Sequence, residues 1–223
     1  MTLTLSRLLL NPLSREVRRD MASVVDLHRT VMKAFPEADQ EPRRAHGVLY
    51  RLDVDERKGL VVLLVQSHTP PDWTHLPPRY LVETGEMNPA VKAVDVSSAL
   101  VPERELSFRL RANPTKRVTI DGKSQRVELR GDSARLAWLR RKGIEAGFAL
   151  CCDDDGSGLV ITEESKNHGY RPQGTDKARI TLQPVLFQGR LRITDAERFK
   201  RCLRDGIGPA KAYGFGLLSI APP

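Results

Sequence analysis

Aromatic side chains are scarce: Phe, Trp and Tyr together make up 5% of 223 residues. Holding single-stranded nucleic acid by stacking successive bases needs a row of exposed rings, so the chain is not built around that mode. Cysteine is rarer still, with only Cys151, Cys152 and Cys202. An odd number without metal-type spacing argues against a disulfide framework and a cysteine metal cluster, and predicts reduced thiols in a cytoplasmic protein. No apolar run approaches the ~20 residues that a membrane-spanning helix needs. The opening MTLTLSRLLL alternates early and runs into a basic segment, so it reads as a first strand and not as a signal peptide.

Metal-ligand patterns are missing as well. His46, His68, His75 and His168 fall in loop-like stretches and share no ligand spacing. Asp153, Asp154 and Asp155, with Glu163 and Glu164 further on, read as a solvated acidic loop, because adjacent carboxylates in a turn point in different directions. No metal and no cofactor is expected. Trp73 and Trp138 read as core anchors.

What the chain has is positive charge, unevenly placed. The net charge is +8, yet residues 1–100 hold 13 basic and 13 acidic side chains. Residues 104–142 hold 12 basic side chains against 4 acidic ones, which accounts for the whole excess. A merely solvated face mixes its signs. Concentrated positive charge points to a polyanionic partner, nucleic acid before membrane. Arg109 and Arg111 alternate along a predicted strand and so share a face. Lys116, Arg117, Lys123 and Arg126 extend that surface if the following segment forms a hairpin.

Residues 2–10 read as a strand. Ser23 then stands as N-cap with Asp26 three residues on, opening a helix whose apolar face is Val24, Leu27, Val31 and Ala34. Pro36 forbids its continuation. VLYRLDV (48–54) and LVVLLVQS (60–67) read as strands joined by the charged turn Asp55–Gly59. This β-α-β-β order is three quarters of a ferredoxin-like unit. The Pro-studded stretch from Thr69 to Pro102 reads as loops, a short helix and the join between domains. The second half restarts with ELSFRLRANP, followed by a basic hairpin from Lys116 to Arg130 and a helix from Asp132 to Lys142 with Leu136 and Leu139 inward. Further strands, a short helix from Asp195 to Arg204 and a closing strand complete a second, decorated unit. The fold class expected is α+β, two tandem ferredoxin-like (RRM-like) domains with antiparallel sheets, residues 1–95 and 96–223.

The chain ends in GIGPAKAYGFGLLSIAPP, where Gly206, Gly208, Gly214 and Gly216 surround Lys211. Glycine at that density permits tight turns whose N–H groups can face phosphate oxygens, which makes Gly206, Gly208 and Lys211 binding candidates. His28 lies one 100° helical step from Leu27, at the margin of the apolar face, where a histidine is partly shielded and still accessible. Arg29 and Lys33, four apart, form a basic edge on the same helix.

The glycine-rich end, LLLNPLSREVRRD followed by LHRT (residues 8–30), and FRLRANPTKR (108–117) occur in the order in which the chain resembles the CasE family. These are the repeat-RNA endoribonucleases of type I-E CRISPR systems, within the glycine-loop repeat-associated (RAMP) proteins. The resemblance spans essentially the whole chain. It implies metal-independent cleavage of CRISPR repeat stem-loop RNA, with a cut at the base of the stem. The 2′-hydroxyl attacks the adjacent phosphate and leaves a 2′,3′-cyclic phosphate and a 5′-hydroxyl. The mature guide RNA then stays bound as the protein joins other subunits of the surveillance complex. It also implies that the histidine of LHRT, His28, is catalytic as base or acid, with Arg29 and Lys33 stabilising charge, and that basic elements of the second domain hold the stem-loop. Many relatives carry a tyrosine three residues before this histidine, where the present chain has Val25. Valine transfers no proton. Either water and cations suffice, or Tyr50, Tyr213 or Ser23 takes the role. The alternative is a non-catalytic subunit that binds the same hairpin. A metal-dependent nuclease using the acidic loop ranks far behind.

Overall fold

Thr2–Leu10 forms β1, whose side chains alternate between a buried face (Leu8 and Leu10) and a more open one. In the computed structural model, residues 1–38, 41–55, 57–84, 87–120, 122–173 and 176–223 are described. After β1 come α1 (Arg15–Ala22), α2 (Val24–Met32), the single turn α3 (Pro42–Ala45), β2 (Leu49–Asp55), β3 (Leu60–Ser67) and β4 (Ala90–Asp95). The charged turn Asp55–Gly59 includes Glu56, which lies outside the described residues. The four strands form one antiparallel sheet ordered β2-β3-β1-β4. That is the ferredoxin-like order, with residues 68–84 and 87–89, which among the described residues hold no helix, standing where a second helix would return the chain.

Three of these elements are not legible in the sequence: the single turn α3, the helix α1 and the strand β4. The helix α1 has little apolar face, burying only Val17 and Asp20, and its start is set by Ser14, whose hydroxyl accepts from the Val17 N–H at 3.4 Å. The edge strand β4 is largely exposed, so AVKAVD lacks the alternation that marks a half-buried strand.

The second half runs β5 (Glu105–Ala112), β6 (Thr115–Ile120), β7 (Lys123–Glu128), α4 (Asp132–Ala146), β8 (Phe148–Leu150), β9 (Val160–Glu163), β10 (Asn167–Gln173), β11 (Asp176–Leu182), β12 (Val185–Ile193), α5 (Ala196–Asp205) and β13 (Leu218–Ala221). Its sheet is ordered β13-β5-β12-β8, with β9 also on β12. Taking β5, β8, β12 and β13 with α4 and α5, this is a complete ferredoxin-like unit with hairpins inserted. The hairpin β6-β7 stands outside that sheet, and its Asp121 lies outside the described residues.

By contacts the chain forms two compact units. The first comprises Met1–Val96, Asn167–Leu182 and Ala212–Gly214; the second comprises Ser97–Lys166, Gln183–Lys211 and Phe215–Pro223. The core of the first is Leu8, Leu10, Leu27, Val31, Val48, Tyr50, Leu63 and Trp73, with their neighbours. In the second, Phe148 meets Phe199 edge-on at 5.9 Å and Trp138 stacks on Phe187 at 6.1 Å.

Among the polar side chains buried in the first unit is a carboxylate. Asp20 is 1% exposed and accepts from Arg19 at 2.8 Å, from the Thr30 hydroxyl at 2.6 Å and from the Tyr80 hydroxyl at 2.7 Å. A buried carboxylate is tolerated when its oxygens are filled in this way. Burial and the adjacent Asp20 push the Tyr80 phenol far above its ordinary value, so it remains a donor. Asp20→Asn keeps the shape but puts an amide where an acceptor is needed. It is expected to lose about 1–3 kcal/mol in urea unfolding, and Tyr80→Phe about 1 kcal/mol. An unchanged midpoint for Asp20→Asn would remove the network from the account of stability.

Candidate functional site

The helix α2 starts at Ser23, whose hydroxyl accepts from the Asp26 N–H at 3.3 Å. Val24, Val25, Leu27 and Val31 bury one face. His28 is half-buried at its edge, while Arg29 and Lys33 are exposed. All three line one cavity of about 770 Å³. Thr30, the last residue of LHRT, donates to Asp20 and its carbonyl receives His75 Nε2 at 3.0 Å, so the helix is held by a side chain and a backbone bond on consecutive layers.

Val25 is 8% exposed. A Cβ at Gly169 of β10 would come within 3.0 Å of a Val24 methyl and of a Val25 methyl. The strand runs directly over the position where the family resemblance implies a tyrosine, and a small side chain fits there. Of the three alternatives, Ser23 is occupied as the helix cap. Tyr50 is fully buried and its hydroxyl donates to the Ala212 carbonyl at 2.7 Å. Tyr213 is half-buried and meets the His28 ring edge-on, with centroids 6.2 Å apart. Gly214 follows with φ +80, and a Cβ there would lie 3.1 Å from the Tyr50 ring. Tyr50 and Gly214 thus fix the strand of chain that presents Tyr213 to His28.

The second unit carries a cavity of about 530 Å³. Lys116, Arg117 and Arg126 of the hairpin β6-β7 reach it, together with Gly208 and Lys211 from the glycine-rich end. Five binding candidates from two distant parts of the sequence therefore share one wall. Sequence reasoning missed Arg141 and Lys142, which α4 adds to the same cavity. The signal was their spacing, three and four residues after Trp138, which brings each of them beside that ring on α4. Gly208 has φ +79, and a Cβ there would approach the Trp138 ring at 3.0 Å.

Other candidates are used differently. Arg111 is 8% exposed, bonded to Glu164 at 2.6 Å and lying over the Phe215 ring at 4.8 Å. It shares the strand face with Arg109, as expected, but its charge is neutralised and buried, so it belongs to the fold and not to an exposed surface. Arg109 is half-buried on β5 and Lys123 is exposed on β7. Gly206 caps α5, its N–H bonded to the Cys202 carbonyl at 2.8 Å. The Gly216 N–H is bonded to the Arg111 carbonyl and the Ile207 N–H to the Gly216 carbonyl. These amides are spent inside the protein, so this part of the glycine-rich end is a packing device, while Gly208, Pro209 and Lys211 reach the cavity. The Cys202 thiol is pushed up to about 12 by burial and is inert. Among the described residues, no group of three or more His, Cys, Asp or Glu side chains is placed to hold a metal ion. No helix of the described residues is long and apolar enough to cross a membrane.

A sequence profile described as "CRISPR associated protein" matches residues 3–222. The chain is 39% identical over 222 residues to the CRISPR-associated endoribonuclease Cse3 of Thermus thermophilus, covering 98% of this chain and 99% of that protein. It is 32% identical over 208 residues to the CRISPR system Cascade subunit CasE of Escherichia coli, covering 88% and 90%. A solved structure of Thermus thermophilus Cse3 bound to an RNA representing a pre-cleavage complex superposes with a TM-score of 0.80 at 36% identity, covering all of both chains.

The shared wall generates an expectation that depends on charge alone. Replacing Lys116, Arg117 and Arg126 together by Gln should flatten the dependence of log affinity on log salt by about 2–3 for an RNA duplex. An unchanged slope in a salt titration would place the binding charge elsewhere.

Proposed function

Because the chain belongs to the CRISPR associated protein family, we propose that it is an endoribonuclease that cuts CRISPR repeat hairpin RNA within each repeat. The observation that carries this reading is the lining of one cavity by His28, Arg29 and Lys33, with Tyr213 edge-on to the same histidine. The reaction is a metal-independent transesterification. The 2′-oxygen loses its proton and bonds to phosphorus, the bond from phosphorus to the 5′-oxygen breaks, and that oxygen takes up a proton. The products end in a 2′,3′-cyclic phosphate and a 5′-hydroxyl. His28 exchanges one of these protons, and Tyr213 is the nearby hydroxyl that serves as its partner in place of the tyrosine absent at Val25. Arg29 and Lys33 stabilise the extra negative charge on the phosphorane. The two rings meet edge-on with centroids 6.2 Å apart, so the scissile phosphate comes beside the pair.

Residues 1–95 with Tyr213 form the catalytic part in this reading, and residues 96–223 hold the stem-loop through Lys116, Arg117, Lys123, Arg126, Lys211 and the half-buried Arg109. Dense cations read a duplex mainly by shape and phosphate spacing. The product stays bound, and the protein works in the cytoplasm as a subunit of the type I-E surveillance complex. A second reading, a subunit that binds the hairpin without cutting it, is favoured by Val25 alone, because β10 closes the place where relatives carry a hydroxyl.

The test is single-turnover cleavage of the cognate repeat hairpin in excess chelator, with end-group analysis. Wild type is expected to cut once, His28→Ala to lose about 100- to 10,000-fold, and Tyr213→Phe about 10- to 100-fold, with hairpin affinity preserved in both. Binding without cutting by wild type supports the second reading. Loss of wild-type cleavage on adding chelator would overturn the metal-free chemistry.

A further inference from the structure

The face of α2 that meets the core is Val24, Val25, Leu27 and Val31. Apolar contacts of this kind are non-directional, so directional bonds set the fine rotation of the helix about its own axis. Rotation matters for His28, which stands half-buried at the edge of that face. A side chain reaches about 5–6 Å from a helix axis, so a turn of about 10° moves its end by about 1 Å. A misplacement of about 1 Å can slow a reaction about 100-fold.

The directional bonds converge on Thr30, two residues past His28. Its hydroxyl donates to Asp20 at 2.6 Å, and its carbonyl, in the last turn of the helix, lies 3.0 Å from His75 Nε2. Beyond it the chain tightens, with the Ala34 N–H on the Val31 carbonyl at 3.2 Å and the Phe35 N–H on the Met32 carbonyl at 3.1 Å.

His75 reaches Thr30 from a short turn that is itself anchored. The Asp72 N–H bonds to the Ala34 carbonyl at 2.8 Å, just past the end of α2. The buried Trp73 donates from Nε1 to the Ser6 hydroxyl of β1 at 3.2 Å. Thr74 donates to the Asp72 carboxylate from its hydroxyl at 2.7 Å and its N–H at 2.9 Å, which holds that carboxyl below the usual carboxylate range. The His75 ring is half-buried, and its Nδ1 lies 3.0 Å from the Asp72 carbonyl. Carbonyls only accept, so each of the two contacts needs a hydrogen on its own nitrogen, and a neutral ring carries only one.

We propose that His75 is a positioning residue for the cleavage reaction: it donates from Nε2 to the Thr30 carbonyl, caps the C-terminal end of α2 and so sets the rotation at which His28 meets the scissile phosphate. The inference rests on the reading of His28 as the group that exchanges a proton with the RNA. His75 does not line the cavity beside His28, so it acts through the helix and not on the substrate.

The experiment uses the full chain and the cognate repeat hairpin in single-turnover cleavage at saturating enzyme, with hairpin affinity measured separately. A glutamine amide reaches as far as histidine Nε2, and an asparagine amide as far as Nδ1. His75→Gln therefore keeps the donor to Thr30, His75→Asn keeps only the donor to Asp72, and His75→Ala keeps neither. His75→Ala and His75→Asn are expected to cut about 5- to 20-fold more slowly with hairpin affinity preserved, and His75→Gln within about twofold of wild type. In the RNA-free protein, the NMR signals of the His28 ring, assigned by their loss in His28→Ala, should move in His75→Ala and His75→Asn and stay in place in His75→Gln. If His75→Ala fails to fold, His75→Asn against His75→Gln decides. Unchanged cleavage by His75→Ala and His75→Asn, rescue by Asn and not by Gln, or a lost rate with unmoved His28 signals would overturn the proposal. A lower melting temperature with a normal rate marks a purely structural bond and overturns it as well. If wild type does not cut, the nuclease reading has failed and the ring signals alone decide whether His75 sets His28.

Discussion

The first unit depends on one buried carboxylate. Asp20 collects donors from its own helix through Arg19, from α2 through Thr30 and from residues 68–84, after β3, through Tyr80. That stretch stands where the ferredoxin-like pattern would place a second helix, and without one the sheet needs another device to hold the covering chain. The Asp20 cluster is that device. It also sets the helix that presents His28, because Thr30 is only two residues further along α2. Stability and site geometry therefore share a single polar network.

Charge in the second unit divides into two populations. Arg111 with Glu164, Arg135 with Glu163 and Arg130 with Glu128 are ion pairs that shape the unit. Arg130 and Lys166 hold the Glu128 carboxyl below the usual carboxylate range. Lys116, Arg117, Arg126 and Lys211 instead line a cavity with Arg141 and Lys142. A net charge of +8 is compatible with either use. Arg111 and Arg135 are withdrawn by glutamates that arrive from a distant part of the chain, whereas Arg130 pairs locally with Glu128, and Arg141 and Lys142 share Glu145 one turn on along α4.

The histidine at the edge of α2 illustrates the same division of labour. Its helix, its half-burial and its neighbours Arg29 and Lys33 follow from local pattern. The meaning of Val25 does not, since it comes from Gly169 on β10 passing over that position. The choice of Tyr213 over Tyr50 is also tertiary. Ser23 is consumed by the helix start, which its spacing from Asp26 already announces, whereas Tyr50 is consumed by the Ala212 carbonyl, 162 residues away, a commitment that sequence spacing does not connect.

Read from residues alone, the chain declares its two α+β units, the starts of α2 and α5, the basic hairpin and the closing strand, because each rests on short-range physics: capping, periodicity and the avoidance of proline. It concealed α1, whose apolar face is nearly absent, and β4, whose exposed edge lacks alternation. It left open that Glu164 covers Arg111, because strand alternation tells which face a residue takes but not what covers that face, and that the Gly206 amide closes α5. The residue types for RNA chemistry were determined by the sequence. Their grouping into two cavities, one around His28 and one around Lys116 and Lys211, was decided only by tertiary structure, since burial and ion pairing depend on elements that lie far apart in the chain.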